Sequence, residues 1–260
     1  LLTKRLQADE NLSLDSFKLL RQLGEGGYGT VFLAYHADIN EYVALKAIKK
    51  STLVETNEQN TIVSERQYAF ALNHPNIAQL ITSFKDNEYV YLAFEFLHGG
   101  DLYSLMAYQK LTELQAKFYS AQIVLTLDYL HKDICSKSPT SLISDGFMTN
   151  RQHRPRIRYL RIINGCSSIN LKHSSINCLS IIRGLLQYNV ERRLGCGQRG
   201  TLDIIEHVWF DEINFWTLYQ QKYIAPFIPI RKYIITDRYE DETILRFTAK
   251  NLHENEFKEF

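Results

Sequence analysis

The chain lacks most of the features that simplify a first reading. Its four cysteines, Cys135, Cys166, Cys178 and Cys196, form no C-x-x-C pair and no His/Cys metal spacing. That pattern suits free thiols in a reducing compartment, cytoplasmic or nuclear. Net charge is almost absent, with 30 Lys plus Arg against 29 Asp plus Glu, so the balance argues for neither a nucleic acid nor a membrane as partner. No apolar run approaches the roughly 20 residues needed to cross a bilayer, and no internal repeat or low-complexity tract is present. The chain opens on Leu1 rather than Met, which leaves a preceding segment open. One shortage is local. From Phe147 through Val190 there is no Asp or Glu, while Arg151, Arg154, Arg156, Arg158, Arg161, Lys172 and Arg183 are present.

What is present is globular: 45% apolar and 23% charged side chains over 260 residues, enough for one large domain or two lobes. Residues 17 to 34, FKLLRQLGEGGYGTVFLA, read as an alternating strand, a glycine-rich turn and a second β-branched, aromatic strand. Gly24, Gly26 and Gly29 fit G-x-G-x-x-G, and the strand after the last glycine excludes the strand-to-helix turn of a dinucleotide fold. Taken alone the motif is a weak signal, and a plain tight hairpin accounts for it more often than a phosphate-binding loop does. Further along, VALKAIKK places Lys46 on a strand, and NTIVSERQYAFAL places Glu65 on an amphipathic helix. Each alone reads as a solvated charge.

Taken in order, these segments with HPNI, YVYLAFEFL and HGGDLYSLM (residues 74–77, 89–97 and 98–106) resemble the N-lobe of protein kinases. The resemblance implies that the glycine loop covers nucleotide phosphates, that Lys46 holds the α- and β-phosphates, and that Glu65 ion-pairs with Lys46. It also implies Phe94 as gatekeeper and Glu95 to Leu97 as hinge backbone for adenine. Asp101 would lie near the ribose, with Val31 and Ala44 roofing the base.

LTELQAKFYSAQIVLTLDYLH opens with Thr112 and Gln115 in capping-box spacing. It carries apolar residues at 114, 118, 121 and 125 and a second stripe at 123, 127 and 130, a pattern that predicts burial over much of its girth. This stretch, with residues 181 to 210 and INFWTLYQQKYIAPFIP, resembles the AGC group of serine/threonine kinases, most like the cAMP-dependent enzymes. In the tail LRFTAKNLHENEFKEF the resemblance puts Thr248 on a turn-motif phosphosite. It places Phe257 and Phe260 in an apolar groove beside the Glu65 helix. The tail phenylalanine that reaches adenine in that group is replaced near Ile235 or Thr236.

The middle departs. Where the family carries Y-R-D-L-K-P-E-N, this chain has SKSPTSLIS. Matching Pro139 to the family proline puts the catalytic base on Ser136, the catalytic-loop lysine on Ser138 and a Mg²⁺ ligand on Ser141. The second Mg²⁺ ligand falls near Gln152. A serine hydroxyl is no carboxylate base at neutral pH, and such assistance is worth about 10²- to 10⁴-fold. SDGF (Ser144 to Phe147) reads as a hairpin turn rather than the D-F-G triplet. The A-P-E segment is unrecognisable, which leaves Arg193 without the glutamate that the family pairs with it. About fifty to sixty residues of the family pattern are missing. The basic stretch fits a nucleic-acid patch or a solvated loop. It fits better a segment, 135 to about 175, that comes from a shifted frame, a mis-joined exon or a decayed gene.

The expectation is an α+β, bilobal, protein-kinase-like fold with a five-stranded antiparallel N-lobe, helix C and a truncated, mainly helical C-lobe. Its boundaries are an extension over 1–15, the N-lobe over 16–97, a degenerate C-lobe over 98–210 and an AGC-type tail over 211–260. By descent the function is ATP- and Mg²⁺-dependent protein serine/threonine phosphorylation. By residues, the chain is expected to bind ATP weakly, without need of metal, and to be catalytically impaired. The alternative is a pseudokinase or scaffold module that engages a regulatory subunit or scaffold, with protein substrates only for an intact form.

Overall fold

The computed structural model describes residues 12–27, 29–133, 174–228 and 253–260. Five strands form one antiparallel sheet: β1 (Phe17–Gly26), β2 (Gly29–His36), β3 (Glu41–Lys49), β4 (Leu80–Lys85) and β5 (Tyr89–Glu95). Their order is β1-β2-β3-β5-β4, with helices α1 (Lys50–Glu55) and α2 (Gln59–Ala71) inserted between β3 and β4. Strand alternation sorts the apolar residues onto two faces. Phe17, Phe32, Ala34, Val43, Leu45, Tyr91 and Ala93 share one buried cluster. On the other face Ile48, Leu80, Val90 and Leu92 pack with Leu53, Ile62 and Phe257. In α2 the one buried residue is Ile62, so this helix is less amphipathic than its sequence predicts and leans on the half-buried Ala69 and Phe70.

The remaining described α-helices are α3 (Leu102–Tyr108), α4 (Glu113–Asp133), α5 (Ile176–Leu185), α6 (Thr201–Ile205) and α7 (Phe215–Tyr219), with short 3-10 helices at Leu14–Ser16, Val190–Arg192 and Val208–Phe210. The capping box of α4 forms: Thr112 N–H donates to Gln115 Oε1 (2.9 Å) and Gln115 N–H to Thr112 Oγ1 (3.3 Å). Ser175 caps α5 by accepting from Cys178 N–H. Phe118 and Ala121 of α4 bury against Ile181, Trp209, Phe210 and Leu218. Exposure along α4 corrects the expectation of burial over much of the helix: Ile123 and Leu127 of the second stripe stay 54% and 41% exposed, and Leu114 of the first stripe 60%. On α5, Ile176 is 83% exposed, so both helices carry apolar faces that the described residues leave uncovered, as the shortened sequence implies.

The described residues divide into two compact units, one drawn from Leu1–Asn73, Ile77–Asp101 and Ile228–Phe260, the other from His74–Asn76 and Leu102–Phe227. This division differs from the boundaries read in the sequence. Residues 98–101 group with the sheet, and 211–227 group with the helices because Ile213 and Leu218 belong to the helical core.

Candidate functional site

The β1–β2 hairpin closes with Gly26 opposite Gly29 and Gly24 opposite Val31. A Cβ on Gly29 would meet the Ala47 carbonyl oxygen at 2.2 Å, so β3 itself demands a glycine there. Gly24 has nothing within 4 Å of a built Cβ, and Gly26 meets only the Gly29 oxygen at 3.8 Å. Two of the three motif glycines therefore have no internal packing reason to lack a side chain. The ledge they leave fits close approach by a phosphate-bearing ligand.

Lys46 pairs across the sheet with Val31 on β2 and Leu92 on β5, and Ala44 pairs with Leu33 and Phe94. Cross-strand partners point the same way, so Val31, Ala44, Lys46 and Phe94 line one face. The same face carries α2, whose Glu65 Oε1 lies 2.8 Å from Lys46 Nζ. The two side chains are 26% and 41% exposed, so the pair adds little stability in water. Its effect is positional: the lysine is held beside the glycine strand.

At the end of β5, Glu95 is tied to Gln79 twice, its N–H donating to Gln79 O (2.9 Å) and its Oε1 accepting from Gln79 N–H (3.0 Å). Leu97 stands 62% exposed. Gly100, at φ +68°, makes the turn that delivers Asp101 to the start of α3. Gly24, Gly26, Gly29, Val31, Ala44, Lys46, Glu65, Glu95, Leu97 and Asp101 all fall within the sheet unit.

Ser136, Ser138, Ser141, Gln152, Ile235, Thr236 and Thr248 lie outside the described residues. Among the described residues no group of three or more His, Cys, Asp or Glu is placed to hold a metal ion, and no helix is long and apolar enough to cross a membrane. Arg193 is not idle, since its Nε donates to the Gln187 carbonyl at 2.9 Å. Ser180 Oγ sits 3.2 Å from His207 Nε2 and invites a nucleophile–base reading. His207 Nδ1, however, accepts from Trp209 N–H at 3.1 Å. The neutral ring therefore carries its proton on Nε2 and donates it to Ser180, offering the serine no base.

The terminal residues lie on the α2 side of the sheet. Phe257 is fully buried with Ile62, Leu80 and Leu92, and Phe260 packs at the edge of the same cluster. Three cations hold this segment. Lys85 Nζ donates to the Phe257 carbonyl, and Arg66 donates to the carbonyls of Glu259 (2.8 Å) and Phe260. The Arg66 guanidinium lies 5.1 Å from the Phe260 ring centroid and the Lys50 ammonium 5.7 Å from that of Phe257. Lys50 is itself buried, donating to the Asp86 carbonyl at 2.6 Å. Burial pushes its pKa down, with neighbouring Lys85 adding to the effect. Sequence reading missed these cations; Arg66 directly follows Glu65, but nothing in the pattern marks Lys50 or Lys85.

The family model for the protein kinase domain matches residues 17–137. The chain is similar to the cAMP-dependent protein kinase catalytic subunit of Dictyostelium discoideum, 27% identical over 83% of this chain and 43% of the relative. It is 34% identical to cAMP-dependent protein kinase type 3 of Saccharomyces cerevisiae over 51% of this chain and 34% of the relative. Protein kinase C-like 1 of the same yeast is 24% identical over 87% of this chain and 25% of its own length. The chain spans less than half the length of these curated relatives.

Proposed function

From a chain that belongs, through residues 17–137, to the AGC-like serine/threonine protein kinases, we propose a nucleotide-binding pseudokinase. It holds ATP beneath the glycine strand without transferring its phosphoryl group at a kinase's rate. The observation that carries the reading is the Lys46–Glu65 contact at 2.8 Å, set beside two glycines whose Cβ positions are open. In the family, ATP bound with Mg²⁺ supplies the phosphoryl group to be transferred. In this chain the open ledge at Gly24 and Gly26 admits the phosphates, Lys46 offers them its ammonium, and Val31, Ala44 and Phe94 give an apolar wall to a base. The positions of the base and metal ligands carry Ser136, Ser141 and Gln152, none of which does the work of a carboxylate.

A thermal-shift titration with ATP, with and without Mg²⁺, tests this. The expected outcome is a small stabilisation in both conditions, abolished by Lys46→Met, with no phosphate transferred to a serine/threonine peptide. Metal-dependent transfer would return the chain to the working kinases, acting on protein substrates. An unchanged shift in the Lys46→Met protein would move the nucleotide away from the glycine loop. The partner class that goes with this reading is a kinase regulatory subunit or scaffold in the cytoplasm or nucleus. The acid-free run from Phe147 to Val190 favours one second reading, a misread or mis-spliced product of an active gene. Sequencing the transcript across codons 129 to 180 decides it, because a frame or exon restoring Y-R-D-L-K-P-E-N and D-F-G would make this chain a faulty version of a kinase.

A further inference from the structure

We infer that Arg21 is a specificity-determining residue of this site, which recognises an anion on the sugar side of an adenine nucleotide. The ligand class is adenosine phosphorylated on the ribose as well as at the 5′ position. The inference rests on the nucleotide reading above and adds a second anion contact to the one that Lys46 offers. Arg21 on β1 lies opposite Leu33, Leu33 opposite Ala44, and Ala44 opposite Phe94. Partners across a sheet share a face, so the arginine stands in the same row as residues that offer the base its wall.

The strand is irregular on both sides of this residue. Its register shifts between Leu19 and Arg21 and again between Gln22 and Gly24, and bulges of this kind re-aim a side chain at the cost of ladder pairing. The side chain so placed is unmatched: Arg21 Nε is buried with no hydrogen-bond partner, and among the described residues Arg21 forms no salt bridge. A buried donor in that state costs free energy that a bound acceptor recovers. Position decides which group it meets. Lys46 lies opposite Val31, and Val31 opposite Gly24, so the lysine's row is nearer the hairpin tip at Gly26 and Gly29 than Arg21's row is. A 5′ phosphate chain running from Lys46 beneath the glycines moves away from Arg21, which about 15 Å of strand separates from the tip. What remains on the arginine's side is the nucleoside, whose base is neutral and whose ribose has two hydroxyls. A phosphate on one hydroxyl matches the guanidinium fork, two N–H groups to two oxygens. The other hydroxyl is left for Asp101, which belongs to the same unit.

The test is calorimetric titration of the whole chain, in EDTA, with AMP, ADP, adenosine 2′,5′-bisphosphate and adenosine 3′,5′-bisphosphate. One of the two bisphosphates is expected to bind about tenfold tighter than AMP. Arg21→Gln brings that ratio to about one, and Arg21→Lys, which keeps the charge without the planar fork, restores part of it. Lys46→Met, by contrast, removes the gain from AMP to ADP. Equal affinity for AMP and both bisphosphates overturns the inference and leaves the nucleotide reading in place; the arginine is then spent on another part of the chain. A bisphosphate gain that survives Arg21→Gln also overturns it, as does a loss of the ADP gain equal to the loss of the bisphosphate gain, since general charge would then explain both. Binding of none of the four ligands by folded protein overturns the inference and the nucleotide reading together.

Discussion

At the scale of single residues, the most exposed liability is a buried imidazole. His36 is 1% exposed, neither ring nitrogen has a hydrogen-bond partner, and its ring meets Phe17 edge-on at 4.6 Å. Burial pushes its pKa below the usual histidine range, with Asp38 pulling weakly the other way. His74 is lowered for the same reason, and its Nδ1 accepts from Asn76 N–H. Above about pH 6.5 both rings are neutral folded or unfolded and cost nothing. Below it the unfolded chain takes up protons that the folded chain refuses, so stability falls with pH, by at most about 1.4 kcal/mol per pH unit for each histidine. Urea melts at pH 7.5 and 5.5 should show this loss, and His36→Phe should flatten it. A wild-type slope retained in the variant would place the titration elsewhere.

At the scale of elements, one carboxylate joins two α-helices and the short 3-10 helix Val208–Phe210, which lie far apart in sequence. Glu113, in the first turn of α4, accepts from Ser175 Oγ (2.5 Å) and Trp209 Nε1 (2.8 Å) through Oε1 and from Ser175 N–H (3.0 Å) through Oε2. Those hydrogen bonds hold its carboxyl below the usual range. Glu113→Ala should cost about 1–3 kcal/mol by stranding the indole and cap donors. It should also change Trp209 fluorescence and speed hydrogen exchange along α5. Unaltered fluorescence and exchange would show the clamp to be ornamental. Nothing in the sequence announced this contact, because its partners sit 62 and 96 residues away and carry no periodic signal. Local signals, by contrast, were legible. The alternation in FKLLRQL and TVFLA fixed a hairpin, Thr112 and Gln115 closed their box, and nineteen residues separated Lys46 from the glutamate it now meets. The girth of α4 misled, because apolar pattern predicts burial only where other chain packs over it, and the described residues leave Ile123 and Leu127 exposed.

At the scale of the whole molecule, three buried clusters are shared between two units, two in the sheet unit and one among the helices. The sheet unit closes its α2 side with a residue from the far end of the chain. Phe257→Ala should lower the stability of that unit by about 3–5 kcal/mol, a large part of a domain's usual 5–15. Exchange protection should drop in α2 and β5 together. A loss below about 1 kcal/mol would mean that the ring is not a working part of that core. The arrangement bears on how the protein is made. A ribosome delivers β1 to β5 early, at about 5–20 residues per second, yet the ring that completes their packing emerges only after every helix of the second unit has been synthesised. Until translation reaches codon 257, the α2 side of the sheet lacks the ring that fills its cluster. Any premature stop or lasting frame error after codon 101 is therefore felt upstream, as a void in a domain whose strands were already correct.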